Sequence, residues 1–310
     1  MTAPATPSAS APSVAAPPAS GLLPALAAYT IWGFLPLYLL LVKTVPPFEF
    51  VGWRIIWTLP LCLVIVAFRR QFPELLAAFK SPRAMLALLA SAVLIGINWF
   101  VYIWAIMGGE VYATSIGYYL NPLINVLLGT LFLGERLTRW QWLAVAIALG
   151  AVLLLAAGAL TSLWISLTLG LSFGLYGLVR KQVSVGSLPG LTIESAILLL
   201  PAIGIAAWYA ASPAGSSFGQ DPAMSGLIVF SGVVTAIPLL LFALAARRMD
   251  YSTLGFIQYL APTIVFFLGM FVFHQPLSAV KLFSFVLIWV AVAIFVADLW
   301  ARKRAARRVA

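Results

Sequence analysis

The tetrapeptides Tyr119-Leu120-Asn121-Pro122 and Tyr259-Leu260-Ala261-Pro262 stand 140 residues apart. The same offset pairs Ile124 with Ile264, Leu128 with Leu268, Gly129 with Gly269, Leu137 with Leu277, Ala151 with Ala291 and Glu135 with Gln275. Near the front of each half, Tyr29-Thr30-Ile31-Trp32-Gly33 resembles Phe173-Gly174-Leu175-Tyr176-Gly177 at a slightly longer spacing. Apolar segments match by chance, so single pairs count for little. A Tyr-Leu-x-Pro followed at equal distance by Gly and then Leu is a more specific coincidence. It predicts one structural unit written twice.

The solvent around this unit follows from composition. Of 310 residues, 63% are hydrophobic and 8% are charged, with a mean hydropathy of +1.07. A soluble domain carries about 25% charged residues to cover its surface. This surface therefore faces lipid. Apolar runs at 22–42, 51–68, 84–106, 112–133, 140–158, 163–181, 190–211, 224–246, 252–273 and 279–299 are long enough to span a bilayer as helices. They are continuous, not alternating, so a membrane β-barrel is a poor fit. In lipid every backbone group must be paired internally, which makes the runs helical. The expected fold is an all-α membrane protein of ten transmembrane helices. The weakest division lies between the fifth and sixth runs, where only Thr161 and Ser162 interrupt.

Basic residues test that count. Arg69, Arg70, Lys80, Arg83, Arg136, Arg139, Arg180, Lys181, Arg247, Arg248 and the Arg302–Arg308 cluster fall on one side if both termini are cytoplasmic. Lys43 and Lys281 fall on the other, and Arg54 lies within a span. This is the positive-inside asymmetry. The net charge of +10 thus reads as a topology signal, not as a nucleic-acid face.

Each repeat holds five spans. Five is odd, so the second copy enters the membrane from the opposite side and the halves are inverted. Residues 21–160 form the first five-helix repeat and 161–300 the second. The Ala/Pro/Ser/Thr-rich residues 1–20 form a disordered tail, and 301–310 a basic cytoplasmic tail. Residues 1–20 lack the basic and apolar regions of a secretory signal, so the first span is expected to direct insertion. Inverted repeats recur in secondary transporters, with substrate near the midplane between the halves.

Several motifs resemble the EamA family of the drug/metabolite transporter superfamily, specifically its RarD-type permeases. They are Ala28-Tyr29-Thr30-Ile31-Trp32-Gly33, Arg54-Ile55-Ile56-Trp57, Gly96-Ile97-Asn98-Trp99, Gly117-Tyr118-Tyr119-Leu120-Asn121-Pro122, Leu133-Gly134-Glu135-Arg136 and Phe256-Ile257-Gln258-Tyr259. The likeness covers about 21–300. It implies ten helices, inverted repeats and movement of small organic solutes across the cytoplasmic membrane. One departure stands out: the second-half counterpart of Gly-Glu-Arg reads His274-Gln275-Pro276.

The candidate translocation residues are Trp32, Arg54, Asn98, Tyr102, Tyr119, Asn121, Asn125, Tyr176, Glu194, Gln258 and Tyr259. Trp99 and Tyr118 share their character. Arg54 and Glu194 stand at the 140-residue offset, each just inside a span. They either snorkel to headgroups or face the cavity as gate or coupling groups. Asn121 and Asn125 share a helix face that must turn inward, as interhelical hydrogen bonds or as cavity wall. Pro122 and Pro262 each free a backbone carbonyl one turn earlier. Gly170 and Gly174 form a small-residue packing face.

No cofactor, metal site or phosphate loop is indicated. The one histidine, His274, lies in a loop, and the one cysteine, Cys62, lies in an apolar run. An enzyme is therefore not expected. The expected function is a secondary transporter working by alternating access. A non-transporting scaffold or sensor is the alternative. Expected partners are a small-molecule substrate, carried with or without a coupled proton or ion, and membrane lipid. Substrate, direction and oligomeric state stay open.

Overall fold

The computed structural model describes residues 21–157, 160–274 and 278–309. The 1–20 tail and the Gln275-Pro276 departure lie outside the described residues. The described chain is helical: α1 (Leu22–Leu41), α2 (Pro47–Phe68), α3 (Phe72–Phe79), α4 (Pro82–Met107), α5 (Val111–Phe132), α6 (Arg139–Ala156), α7 (Leu163–Gln182), α8 (Ser187–Ala210), α9 (Pro222–Arg248), α10 (Tyr251–Gln258), α11 (Leu260–Phe271) and α12 (Ala279–Val309).

Local chemistry sets many of these ends. Ser81, Thr138 and Asp221 cap α4, α6 and α9 by accepting from Ala84, Gln141 and Met224 amides. The Gln141 side chain returns the bond to Thr138, a capping box. Prolines 82 and 222 occupy the first turn, where a missing N–H costs nothing.

Among the described residues, nine segments are long and apolar enough to cross a membrane, with α10 and α11 counted together. Helix α5 has comparable length but is not among them. Its Thr114, Ser115, Asn121 and Asn125 dilute its hydropathy, and it lies against α7, α10, α6 and α4. One feature was not anticipated and one was anticipated only in part. A short helix, α3, packs Leu75 and Ala78 inward and leaves Phe72, Leu76 and Phe79 exposed, the pattern of an interfacial helix. The ninth run is also broken, at Tyr259, three residues before Pro262. By contrast Pro122 sits inside an unbroken α5.

The polarity is inverted relative to a soluble protein. Leu23, Phe68, Leu131, Trp140, Leu200 and Trp208 are exposed, while Glu49, Asn98, Asn121, Asn125, Arg180 and Glu194 are buried. Lipid accepts the first group, and only protein or trapped water satisfies the second.

Helix packing repeats when the halves are exchanged. Under the 140-residue correspondence α1 matches α7, α2 matches α8, α4 matches α9, α5 matches α10–α11, and α6 matches α12. The pair α1–α9 then has its counterpart in α7–α4, α1–α11 in α7–α5, and α2–α9 in α8–α4. The pairs α2–α8, α5–α10 and α6–α12 join elements to their own counterparts. Side chains make like contacts on the two sides. A Cβ on Gly174 would meet Ile124 at 2.7 Å, and one on Gly33 would meet Ile264 at 2.7 Å. Each isoleucine fills the hollow left by a glycine on the neighbouring repeat, which lets the helices approach closely. The packing face expected at Gly170 and Gly174 is this contact.

Apart from α3, whose counterpart segment holds no helix, the exchange fails at one place. Helix α7 packs on α9, but α1 has no comparable packing on α4.

Candidate functional site

A cavity of about 450 Å³ occupies the gap between α1 and α4. That volume suits a metabolite-sized ligand. Its walls come from α1, α2, α4, α5, α7, α9, α10 and α11, so both halves contribute. It reaches the surface at exposed Lys43 in the α1–α2 connection. At the other end rings close it. Phe173 packs against Phe242 with centroids 5.1 Å apart, Trp32 lies 5.8 Å from each, and Tyr176 stacks on Phe242 at 6.1 Å. These rings join α7 to α9, the contact that α1 and α4 lack.

Of the candidates read from sequence, Trp32, Arg54, Asn98, Tyr102, Tyr119, Asn121 and Gln258 line this cavity, together with Trp99 and Tyr118. Asn98 also donates to the Leu169 carbonyl at 2.9 Å and to Ser172 at 3.0 Å. It thus ties α4 to α7 and also lies on the cavity wall. Asn125 is drawn away from the wall. It donates to Gln258 Oε1 at 2.9 Å and fixes α5 to α10. Tyr259 is buried beside Phe256 at the helix break, with its hydroxyl 3.4 Å from the Tyr119 carbonyl. It does not line the cavity.

Arg54 projects from α2 into the cavity. Its Nε donates to Thr235 Oγ1 at 3.1 Å, and its guanidinium carbon lies 4.7 Å from the Trp99 ring centroid. Its partners are thus a neutral hydroxyl and a π face. Tyr38, Ser231 and Thr235 complete this region. Sequence reading passed over these three, because a lone hydroxyl in an apolar run carries no periodic signal.

Glu194 and Tyr176 lie elsewhere. With Ser195 and Thr58 they border a separate crevice that shares Ile95, Trp99 and Leu239 with the cavity. Glu194 is buried and forms an ion pair with Arg180 Nη1 at 3.5 Å. Ser91 donates to Glu194, and the Tyr176 hydroxyl lies 3.5 Å from its other oxygen. Arg180 also donates to the Ser187 carbonyl at 2.8 Å. This corrects the reading of Arg180 as a plain topology charge. Gly190 explains the burial, since any Cβ there would collide with the guanidinium. Neither Arg54 nor Glu194 snorkels to a surface. They occupy equivalent places in the two halves, and Trp99 stands between them.

Charged junctions mark each end of the bundle. Buried Glu49, in the first turn of α2, accepts from Ser216 at 2.6 Å and from the Ser217 amide and hydroxyl at 2.7 and 2.8 Å. This fixes the α8–α9 connection to the α2 start. At the other end, Glu74 in the α2–α4 connection accepts from the Gly186 amide at the α8 start, at 2.8 Å. The junctions are counterparts with the carboxylate on opposite partners. Glu135 accepts from the Tyr251 and Ser252 amides at 2.5 and 2.8 Å, which caps α10.

The geometry defines a multi-pass membrane protein with a solute-sized central cavity, the class of membrane transporters. The comparisons agree. The model of the EamA-like transporter family matches residues 19–157. Protein RarD of Escherichia coli K12 is 42% identical over 286 residues, covering 90% of this chain and 94% of that protein. An uncharacterized transporter, YojE of Bacillus subtilis 168, is 39% identical over 292 residues, covering 93% of this chain and 97% of its own. A solved crystal structure superposes with a TM-score of 0.67 at 17% identity, covering 89% of this chain and 96% of that one, which speaks to fold alone. The chain belongs to the EamA-like transporter family, among its RarD-type members.

Proposed function

We propose that the protein is a secondary transporter that moves a small organic solute across the cytoplasmic membrane by alternating access. The observation that carries this is the break in the exchange of packing between the long helices. One pair, α7–α9, is closed by rings, while its counterpart α1–α4 is parted around the cavity. Two inverted halves reach a second state of similar energy by swapping these conformations. In that state α1 would close on α4 and α7 would part from α9.

The reading takes α5 as the tenth crossing, with its polar residues turned to the cavity and to α10. Ten crossings and the distribution of basic residues put both termini in the cytoplasm. The cavity then opens outward, past Lys43. The Arg180–Glu194 pair lies behind the closed rings, on the cytoplasmic side. Parting α7 from α9 would bring water to Glu194, which makes it the carboxylate best placed for proton coupling. The α7 groups facing it are Arg180 and Tyr176.

Flux of labelled solutes into proteoliposomes, with and without a pH gradient, tests the proposal. Saturable uptake that protein-free liposomes lack is expected. No flux across a broad metabolite panel with an intact fold would favour a scaffold or sensor. If Glu194→Gln carries solute normally at every pH, Glu194 has no coupling role.

A further inference from the structure

We propose that the cavity selects organic anions with a flat apolar body and that Arg54 is the group that holds the acid. This rests on the transport reading for its physiological meaning, but the binding itself does not need it.

The chain has eight acidic residues, all of them described: Glu49, Glu74, Glu110, Glu135, Glu194, Asp221, Asp250 and Asp298. None lines the cavity, and its charged lining residues are Lys43 and Arg54. The nearer carboxylates are occupied. Glu49 is buried under Ser216 and Ser217, Glu110 accepts from Ser162 at 2.6 Å, and Glu194 is held by Arg180 and Ser91.

The Arg54 guanidinium has five N–H donors. Nε is used on Thr235, and no acceptor among the described residues takes the donors on the terminal nitrogens. With no carboxylate on the cavity wall, those donors are left to solvent and to an incoming anion. The planar fork matches a carboxylate with two parallel bonds. Lys43 at the mouth adds attraction for the same sign on entry.

Trp99 flanks the guanidinium, Tyr102 and Tyr118 add ring surface on the cavity wall, and Trp32 and Phe173 supply it at the closed end. An acid joined to a planar body would fill both features at once. An amine of the same shape would meet two cations and no carboxylate.

The test is a charge series on one ring: indole-3-acetate, indole-3-acetamide and tryptamine. Binding to the purified protein in nanodiscs is read by calorimetry, with phenylacetate and nicotinate as further anions. The acetate is expected to bind about tenfold tighter than the amide, since a charged hydrogen bond is the difference, and tryptamine should bind weakest. R54K should keep that order and R54Q should erase it. The proposal is overturned by an amide or amine that binds as tightly as the acid. It is also overturned by an R54Q protein that keeps the preference, or by failure of all three anions to bind. Should R54Q not fold, the wild-type series decides alone. Anion binding without flux into liposomes would sink the transport reading and leave the anion site. Flux of tryptamine without anion binding would do the reverse.

Discussion

Arg180 and Glu194 show what a single residue contributes here. Both are buried, and at 3.5 Å they form an ion pair without a well-aligned hydrogen bond. Desolvation consumes much of such a pair's attraction, but removing one partner strands the other charge and costs roughly 3–5 kcal/mol. Glu194→Gln keeps the shape and the Ser91 contact but leaves Arg180 uncompensated. Its thermal midpoint in detergent is expected to fall well below wild type. Adding Arg180→Gln should recover most of the loss. A double variant no more stable than Glu194→Gln would show that the pair is not coupled. Sequence reading singled out Glu194 as an acid inside a span, yet it left Arg180 with the topology charges. The reason is geometric. An arginine in the last turn of a helix looks like an anchor until the neighbouring helix proves to have a glycine, Gly190, beneath it.

At the scale of elements, two contacts decide how the repeats meet. Gly174 on α7 receives Ile124 of α5, so Gly174→Ala must push α5 away or strain Ile124. Overpacking of this kind costs about 1–3 kcal/mol. Gly150, on α6, has open space around a would-be Cβ. Gly150→Ala is expected to be neutral or to stabilise by up to about 1 kcal/mol through helix propensity. Equal melting shifts for the two variants would remove the packing argument. The second contact is the Glu135 cap on α10. Glu135→Ala strips two backbone donors of their acceptor and is expected to destabilise by about 0.5–2 kcal/mol. Faster amide exchange confined to the start of α10 would localise the effect. Span positions were legible from hydropathy to within a few residues. The break at Tyr259 was anticipated only in part, because Pro262 is visible in sequence but equally placed Pro122 leaves α5 continuous. What differs is the surrounding packing, which a proline does not report. Helix α3 was hidden because eight residues are too few to register as a span.

For the whole molecule the question is which end of the cavity is open and whether that changes. The chain has one cysteine, Cys62, and it is buried. Cys62→Ser therefore yields a cysteine-free background in one step. In it, Leu39→Cys, on the cavity wall, should react with a membrane-impermeant maleimide added from the periplasmic side. Ser195→Cys, in the crevice beside Glu194, should resist it from either side at rest. Under turnover, Ser195→Cys should gain reactivity from the cytoplasmic side as Leu39→Cys loses it. Labelling of Leu39→Cys from the cytoplasm alone would reverse the assigned orientation. Constant labelling of both sites under turnover would contradict alternating access.

Read alone, the chain determined its solvent, its helical class, the approximate span positions and the likeness of its halves. These depend on composition, run length and spacing, which are local or additive quantities. It also marked the residue types of the cavity, because an amide or charge inside an apolar run is conspicuous. Only the tertiary structure decided which marked residues share a space. It set Arg54 against Trp99 and Thr235 in the cavity, drew Asn125 away to Gln258, and put Glu194 behind the rings with Arg180. These placements depend on where glycines let helices approach and on which pair, α1–α4 or α7–α9, stands parted. Segments of similar sequence occupy both places, so composition and spacing do not report which pair stands parted. The Tyr-Leu-x-Pro pair thus announced two like units, and packing alone chose the side on which they open.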